Sequence, residues 1–188
     1  MELNLKTDRL LLRPLAQSDV ELCIEIRTDP VVMKYVHEPE TREVIVRTLP
    51  AMCGRGGGGC IGVWCIIDHA TGEKLGTSIL LPLPIDDDGT DWPLLNSLEI
   101  PPGEIEVGYI LKQSAWGRGV ATEACSRLLK FAFEETPLEE IVAVTDPGNA
   151  ASQHVLTKCG LVRDADRRAY NCDDVPSFRI SKAQWLAH

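Results

Sequence analysis

The sequence predicts an α/β (α+β) domain with a mixed sheet, and three observations support this fold class. Segments with strand-like and helix-like patterns follow one another in the order β-α-α-β-β-β-α-β-α-β-β. Strands adjoin without an intervening helix in two places, which is unlike a doubly wound parallel fold. The 188 residues include 44% hydrophobic and 25% charged residues, ordinary values for a globular domain. No internal repeat or linker divides the chain, so we expect one domain over residues 1–188.

The N-terminal half contains three predicted strands and two predicted helices. A Ser18-Asp19 pair offers an N-cap for the first helix. The Asp29-Pro30 pair ends that helix, because a residue before proline is disfavoured in the helical conformation. The predicted strands cover residues 9–15, 61–67 and 73–81, and the predicted helices cover residues 20–28 and 42–52.

The C-terminal half begins with a long acidic, proline-punctuated connection over residues 82–103. In the later part, Asn149 is placed to cap a helix, and Gly160 is placed to end it in the left-handed conformation. The predicted strands cover residues 104–111, 140–145, 161–170 and 177–182, and the predicted helices cover residues 119–134 and 149–159.

The glycine-rich segment Gly54–Gly59 fits G-x-G-x-x-G but is interpreted as a loop. A dinucleotide-binding fingerprint follows a strand and opens a helix, whereas this segment follows a helical pattern and runs into a strand. Cys60, Cys65 and His69 do not predict a metal site, since residues 60 and 65 point to opposite faces of a strand and no four-ligand spacing is present.

The aspartates of the long connection, at positions 86, 87, 88 and 91, are spaced unlike a calcium loop. We interpret them as a solvated loop, with a rim for a cationic substrate as the functional alternative. No metal is therefore predicted at any position.

Charge and cysteine content restrict the partners and the compartment. The 28 acidic against 19 basic residues give a net charge of −9, which disfavours a nucleic-acid or anionic-membrane partner. The N-terminal segment lacks the apolar core of a signal peptide, and no window is apolar enough for a transmembrane helix. Seven cysteines without a secretory signal are typical of the reducing cytoplasm.

The junction at Ala115–Gly119 predicts an anion site. A strand enters a turn of small residues there, and the turn opens directly into a helix whose first amides have no intrahelical partner. Gly117 and Gly119 allow a ligand to approach the backbone closely, and Arg118 adds positive charge. A phosphate or pyrophosphate is the ligand that such a helix start favours.

Three segments in order resemble the GCN5-related N-acetyltransferases (GNAT), specifically their RimJ/RimL-like branch. The likeness spans about residues 5–182. Its segments are Thr7–Leu15 with Ser18-Asp19 and Asp29–Met33, then Glu106–Ile110 with Trp116–Ala124, and finally Asn149–Leu161.

This resemblance implies a mostly antiparallel sheet in which the strand at 104–111 splays from the strand at 140–145, with helices flanking it. Acetyl-CoA is the implied co-substrate, its pantetheine arm lying in the gap. The implied contacts are the backbone of Tyr109, Ile110 and Leu111 for pantetheine, and the amides of Trp116, Gly117, Arg118, Gly119, Val120 and Ala121 for the pyrophosphate. Asn149 is either a helix cap or a further cofactor contact.

The chain departs from the family pattern at three positions. Trp116 stands where the superfamily has Gln or Arg, although the RimJ/RimL branch tolerates Trp there. Leu156 occupies the register of the tyrosine that protonates the thiolate in many members, and Ser152 is the replacement candidate. Leu161 replaces a usual Phe, which is a packing change only.

The reaction that the resemblance implies is direct transfer of an acetyl group to a primary amine, of a protein N-terminus or a small molecule. A lysine-type ammonium has a pKa of about 10 and must lose a proton first. Glu106, on the strand face of Glu104 and Gly108, is either the general base or a surface or ion-paired carboxylate. Ser152 is either the general acid or a helix-face serine.

The sequence is also compatible with other functions. One is a non-catalytic acyl-CoA sensor, and another is transfer from a different donor such as succinyl-CoA. A cysteine nucleophile is disfavoured because no Cys-His pair is evident. The acidic segment 86–91 suggests a cationic amine, and the resemblance makes a homodimer possible.

Overall fold

An eight-stranded sheet forms the centre of the protein in a computed structural model, which describes residues 1–187. The spatial order of its strands is β1-β2-β3-β4-β5-β6-β10-β7, and β8 and β9 form a separate hairpin. The strands are β1 Leu5–Lys6, β2 Leu10–Pro14, β3 Gly62–Asp68, β4 Lys74–Pro82, β5 Ile105–Leu111, β6 Glu140–Val144, β7 Val162–Arg163, β8 Arg167–Ala169, β9 Cys172–Val175 and β10 Ser177–Ser181.

The pairing within this sheet is antiparallel everywhere except between β5 and β6. Strand β5 pairs with β4 along its whole length, from Ile105 to Leu111. Its parallel contact with β6 is registered at one pair only, Glu106 with Val142. The two central strands therefore part beyond Glu106, and the predicted mixed, mostly antiparallel sheet is confirmed.

The helices cover the sheet and account for much of its core. They are α1 Val20–Arg27, α2 Pro30–Met33, α3 Arg42–Met52, α4 Val120–Glu135, α5 Ala150–Lys158 and α6 Lys182–Leu186. The longest, α4, packs an apolar stripe including Leu128, Leu129 and Phe131 against the sheet, and all three side chains are fully buried. No helix within residues 1–187 combines the length and the apolar character that crossing a membrane requires.

One predicted helix cap differs from the structure, and one predicted helix end has a second role. Asp19 does not cap α1 through its side chain. Its buried carboxylate instead accepts hydrogen bonds from Arg13 (2.7 Å) and the Ala16 amide (2.9 Å), and lies 2.6 Å from Lys74 Nζ. The Asp29-Pro30 pair does end α1, but Pro30 also begins the short helix α2, because Asp29 caps it and proline suits a first helical turn.

The predicted strand over residues 161–170 is wrong as a single element. The chain leaves the sheet after Arg163, and residues 167–169 pair instead with β9. This hairpin turns through Tyr170 and Asn171, which both have positive φ angles of 51° and 55°. The remaining predicted elements agree with the structure to within one or two residues at each end.

Candidate functional site

The turn before α4 forms the predicted anion cradle. Gly117 and Gly119 have φ angles of 68° and 76°, a left-handed conformation that glycine adopts without strain. The amides of residues 117–121 donate no hydrogen bond to any group in residues 1–187, and they lie at the positive end of the α4 dipole. The Trp116 amide, which was predicted to join them, instead donates to the Gln113 carbonyl at 3.1 Å. The backbone is therefore arranged to bind an anion.

The side chains around this cradle are held by the protein itself. Trp116, which is 45% exposed, donates from its indole Nε1 to the Leu111 carbonyl at 2.9 Å. The Arg118 guanidinium lies 3.5 Å from Asp68 Oδ2, and Arg9 donates to the Arg118 carbonyl at 3.0 Å. The indole thus ties the cradle to the end of β5, and the cradle's anion-binding groups are backbone amides.

The gap between β5 and β6 begins just beyond Glu106. Alternate residues of β5 direct their N–H and C=O groups away from β4, towards the side where β6 diverges. Tyr109 and Leu111 are the residues that face this side, and the Leu111 carbonyl already accepts from Trp116. Ile110, predicted to contact pantetheine with them, instead directs its backbone groups to Thr77 of β4, because alternate residues of an antiparallel strand pair with the same neighbour. An extended ligand could add to this strand edge by main-chain hydrogen bonds.

Ser152 and Tyr109 are brought together on one side of the gap. Tyr109 Oη lies 3.1 Å from Ser152 Oγ and also donates to the Ser152 carbonyl at 3.3 Å. Burial raises the pKa of Tyr109 well above its usual range, so its hydroxyl is protonated at neutral pH. Asn149 Oδ1 accepts from the Ser152 amide at 3.1 Å, which confirms its predicted role as helix cap.

Glu106 is buried, with 4% of its surface exposed, and no cation is paired with it among residues 1–187. Burial raises the pKa of Glu106 to about 7, although the hydrogen bond from Tyr170 opposes this rise. The surface and ion-pair alternatives for this carboxylate are therefore excluded. A carboxyl group with a pKa near neutrality can both accept and release a proton under physiological conditions.

Glu106 and Tyr109, the partner of Ser152, lie on opposite faces of β5, because residues 106 and 109 differ by an odd number. Tyr109 belongs to the face that packs with α4 and α5, whereas Glu106 meets the β8–β9 hairpin through Tyr170. The gap connects the two faces. A substrate that passes through it would meet a proton acceptor on one side and a proton donor on the other.

A separate groove of about 620 Å³ lies on another side of α4. Its basic residues include Arg9 and Arg127, which pair with Glu123 and Glu135 respectively. It lacks the free amides of the cradle, so we place the site at the gap. Within the described chain, no three His, Cys, Asp or Glu side chains come together in a way that could hold a metal ion.

Comparison with known proteins identifies the family. A sequence profile described as an acetyltransferase (GNAT) domain matches residues 9–162. The chain belongs to the GNAT acetyltransferase family. Members use acetyl-CoA, and this GNAT chain is accordingly an acyltransferase. It is 29% identical over 97% of its length, and 78% of the relative's, to the Aspergillus fumigatus protein named FsC-acetyl coenzyme A-N(2)-transacetylase.

Solved structures agree on the fold. A GNAT-family acetyltransferase from Bacillus anthracis superposes with a TM-score of 0.75 at 22% identity, covering 95% of this chain and 98% of that one. The spermidine N-acetyltransferase of Vibrio cholerae, in complex with CoA and spermine, superposes with a TM-score of 0.71 at 17% identity, covering 96% and 99%. Both confirm the GNAT fold for this acetyltransferase.

Two contacts of this GNAT site were not predicted from the sequence. No local signal in the sequence joins Tyr170 to Glu106, which lies 64 residues earlier. The Tyr109–Ser152 contact likewise links residues 43 apart. Leu156 is buried in the core, and Ser152, one turn earlier on α5, is a polar side chain beside Tyr109.

Proposed function

We propose that this GNAT protein is an acetyl-CoA-dependent N-acetyltransferase that acts by direct attack of a primary amine in a ternary complex. One observation carries the proposal: a buried carboxyl and a tyrosine–serine pair flank the point where β5 and β6 part. The motifs at Glu106–Ile110, Trp116–Ala124 and Asn149–Leu161 favour the RimJ/RimL-like branch.

The cofactor would be held mainly by backbone groups. The free amides of Gly117–Ala121 would bind the pyrophosphate oxygens, and the gap-side backbone groups of Tyr109 and Leu111 would pair with the pantetheine arm. Asn149 uses its oxygen as a helix cap, which leaves its amide nitrogen for a cofactor contact. Bound acetyl-CoA would supply the acetyl group and a thiolate leaving group.

Glu106 would act as the general base. It would accept a proton from the ammonium form of the acceptor, directly or through water, and a base with a pKa near the working pH accelerates such a step by about 10²–10⁴-fold. The surroundings of Glu106 favour this role, because no neighbouring cation among residues 1–187 holds the carboxylate in its ionised form.

Ser152 would act as the general acid in place of the missing helix tyrosine. Its hydroxyl would give its proton to the departing sulfur and take one from the nitrogen of the tetrahedral intermediate, while a hydrogen bond with Tyr109, 3.1 Å away, holds it in place. Burial keeps the Tyr109 phenol protonated, so Tyr109 would orient the Ser152 hydroxyl by a hydrogen bond without giving up its own proton. The unpaired N–H groups of β5 would stabilise negative charge that develops on the acyl oxygen.

The acceptor is proposed to be a cationic small amine, with a protein N-terminus as the second candidate. Asp86 pairs with Arg168 and Asp88 accepts from Asn171 on the β8–β9 hairpin, which reaches Glu106. The carboxylates of residues 86–88 would therefore lie near the acceptor and favour a cation. The name of the Aspergillus fumigatus relative, an N(2)-transacetylase, and the spermine bound to the Vibrio cholerae enzyme are consistent with small amines.

We also propose that the protein acts in the cytoplasm. All seven cysteines are free thiols, which is consistent with the reducing cytoplasm. A homodimer, common in the RimJ/RimL branch, is testable by light scattering of the purified protein.

The test is release of free thiol from acetyl-CoA in the presence of an amine panel that includes polyamines, aminoglycosides and basic peptides. We expect acceptor-dependent release with a cationic small amine, and a loss of about 10²–10⁴-fold in kcat/KM for Glu106→Gln. The matched control is Glu99→Gln, because Glu99 is an exposed glutamate outside the site.

Three results would contradict parts of the proposal. Binding of coenzyme A without thiol release from any amine would indicate a sensor. Faster thiol release from succinyl-CoA than from acetyl-CoA would identify succinyl-CoA as the better donor. Equal, negligible rates for all cationic amines, together with high rates for peptides with neutral side chains, would identify a protein N-terminus as the acceptor.

A further inference from the structure

The β8–β9 hairpin contains a tyrosine in a backbone conformation that tyrosine rarely adopts. Its two turn residues, Tyr170 and Asn171, both have positive φ, as a two-residue type I′ turn requires. Asn and Gly are the usual residues of such a turn, whereas a bulky aromatic residue in the left-handed region is strained. A strained residue of this kind suggests a role for its side chain.

The tip of this hairpin is fixed against the segment that follows β4. The amides of Tyr170 and Asn171 donate to the carbonyls of Pro84 and Ile85 at 2.9 and 3.0 Å. Arg168 donates to Asp86 at 2.8 Å. We call this set of contacts between residues 84–86 and 168–171 the hairpin clasp.

The hairpin clasp presents the Tyr170 hydroxyl to Glu106. The hydroxyl donates to Glu106 Oε1, and the ring packs beside Leu83, Val142 and Ala169. Tyr170 is therefore anchored by its backbone, its ring and its hydroxyl, and the hydroxyl ends on the candidate general base.

Other groups around Glu106 do not compete with this contact. The residues that pair with it from β4 and β6 are Leu81 and Val142, which carry no titratable group. On the adjacent surface, Glu104 and Arg167 form an ion pair with each other. Tyr170 is the one titratable neighbour that shifts the pKa of Glu106 among the residues described.

We infer that Tyr170 is a positioning residue, which orients the Glu106 carboxylate towards the gap and which the hairpin clasp holds in place. This inference rests on the proposed role of Glu106 as general base. With one oxygen of the carboxylate held by Tyr170, the second oxygen is left to accept the proton of the amine.

The pH dependence of activity follows from this contact. A donated hydrogen bond stabilises the carboxylate over the carboxylic acid, so loss of the hydroxyl raises the pKa of Glu106 further. Activity that requires ionised Glu106 rises with pH through that pKa. The acidic limb of the pH profile therefore moves to higher pH when Tyr170 loses its hydroxyl.

The experiment measures kcat/KM between pH 5.5 and 9 for the parent, Tyr170→Phe and Glu106→Gln. We expect the midpoint of the acidic limb to rise by about one pH unit in Tyr170→Phe, because the loss of one charge-assisted hydrogen bond shifts a pKa by about that amount. At high pH the rate of this variant should be close to that of the parent. Tyr35→Phe is the matched control, because Tyr35 is an exposed tyrosine outside the β8–β9 hairpin and β5.

A readout independent of turnover is the carboxyl carbon resonance of Glu106 in glutamate-labelled protein, assigned by its absence in Glu106→Gln. The chemical shift of this resonance should change with pH with a midpoint near pH 7 in the parent and at higher pH in Tyr170→Phe. Arg168→Gln removes a contact of the hairpin clasp and leaves Tyr170 and Glu106 unchanged. It should raise the midpoints of the pH profile and of the Glu106 resonance, by less than Tyr170→Phe does.

The outcomes separate the two proposals. If Glu106→Gln keeps the acidic limb, Glu106 is not the base and the proposed function fails at that residue. The positioning role of Tyr170 is overturned by a different result. In that case Glu106→Gln abolishes the acidic limb of the pH profile, while Tyr170→Phe leaves the midpoints of both the pH profile and the Glu106 resonance at their parental values. If Arg168→Gln moves neither readout, the part assigned to the hairpin clasp is wrong.

Discussion

Replacing Glu106 by Gln should make the stability of the protein less dependent on pH. Burial raises the pKa of Glu106 from its ordinary 4.5 to about 7, so between these pH values the folded state keeps a proton that the unfolded chain has lost. The free energy of unfolding of the parent must therefore fall as the pH rises through this range, and the glutamine variant has no such proton to lose.

The size of the effect follows from the pKa difference. A difference of about 2.5 pH units corresponds to about 3 kcal/mol, since one unit is worth about 1.4 kcal/mol. We expect the stability of Glu106→Gln relative to the parent to increase by about this amount between pH 4.5 and pH 8. A constant offset from the buried amide does not change with pH and therefore cancels in this comparison.

The assay is urea unfolding, followed by circular dichroism, at several pH values from 4.5 to 8. Glu99→Gln is the control, and its stability should differ from that of the parent by the same small amount at every pH. A difference between the parent and Glu106→Gln that stays constant across the range would refute the claim that this carboxyl is buried and titrates near neutrality.

Three further predictions concern the cradle, the acid and the core. Gly117→Ala should cost about 1–2 kcal/mol of stability and weaken coenzyme A binding in calorimetry, whereas Gly72→Ala, at a similar φ of 73° in a remote turn, should cost stability alone. Equal affinities in the two variants would argue against the cradle. Ser152→Ala should lower kcat by about 10²-fold with the Kd for coenzyme A unchanged, and an unaltered kcat would remove Ser152 from the mechanism. Burial would raise the pKa of Asp19, but its bonds to Arg13 and Lys74 lower it to about 2. Asp19→Asn should therefore cost about 2–3 kcal/mol near pH 7 in urea unfolding. This loss should shrink as the pH falls from about 4 towards 2, and a pH-independent loss would contradict it.

Local patterns predicted most of the fold because they act within a few residues. Helix α3 begins and ends at the predicted residues, since Thr41 caps it and its apolar residues follow the helical spacing. Gly160 ends α5 with a φ of 88°, as the sequence suggested. The error at residues 161–170 arose because strand propensity does not specify a partner, and Arg167–Ala169 pairs with β9 rather than with the sheet.

The candidate site was predictable in its backbone and less so in its side-chain contacts. The strand–turn–helix junction at Gly117 and Gly119 indicated free amides, because that property depends on local geometry. The contact of Tyr170 with Glu106 depends on how a distant hairpin folds over β5, which periodicity does not encode. Asp19 shows the same limit, since Arg13 and Lys74 draw its carboxylate away from the helix start.

A crystal structure of the protein with coenzyme A tests the central claim most directly. The account predicts pyrophosphate oxygens on the amides of residues 117–121 and the sulfur between β5 and β6, beside Ser152 Oγ. Coenzyme A seated instead in the groove lined by Arg9 and Arg127, with the gap between the strands closed, would contradict it.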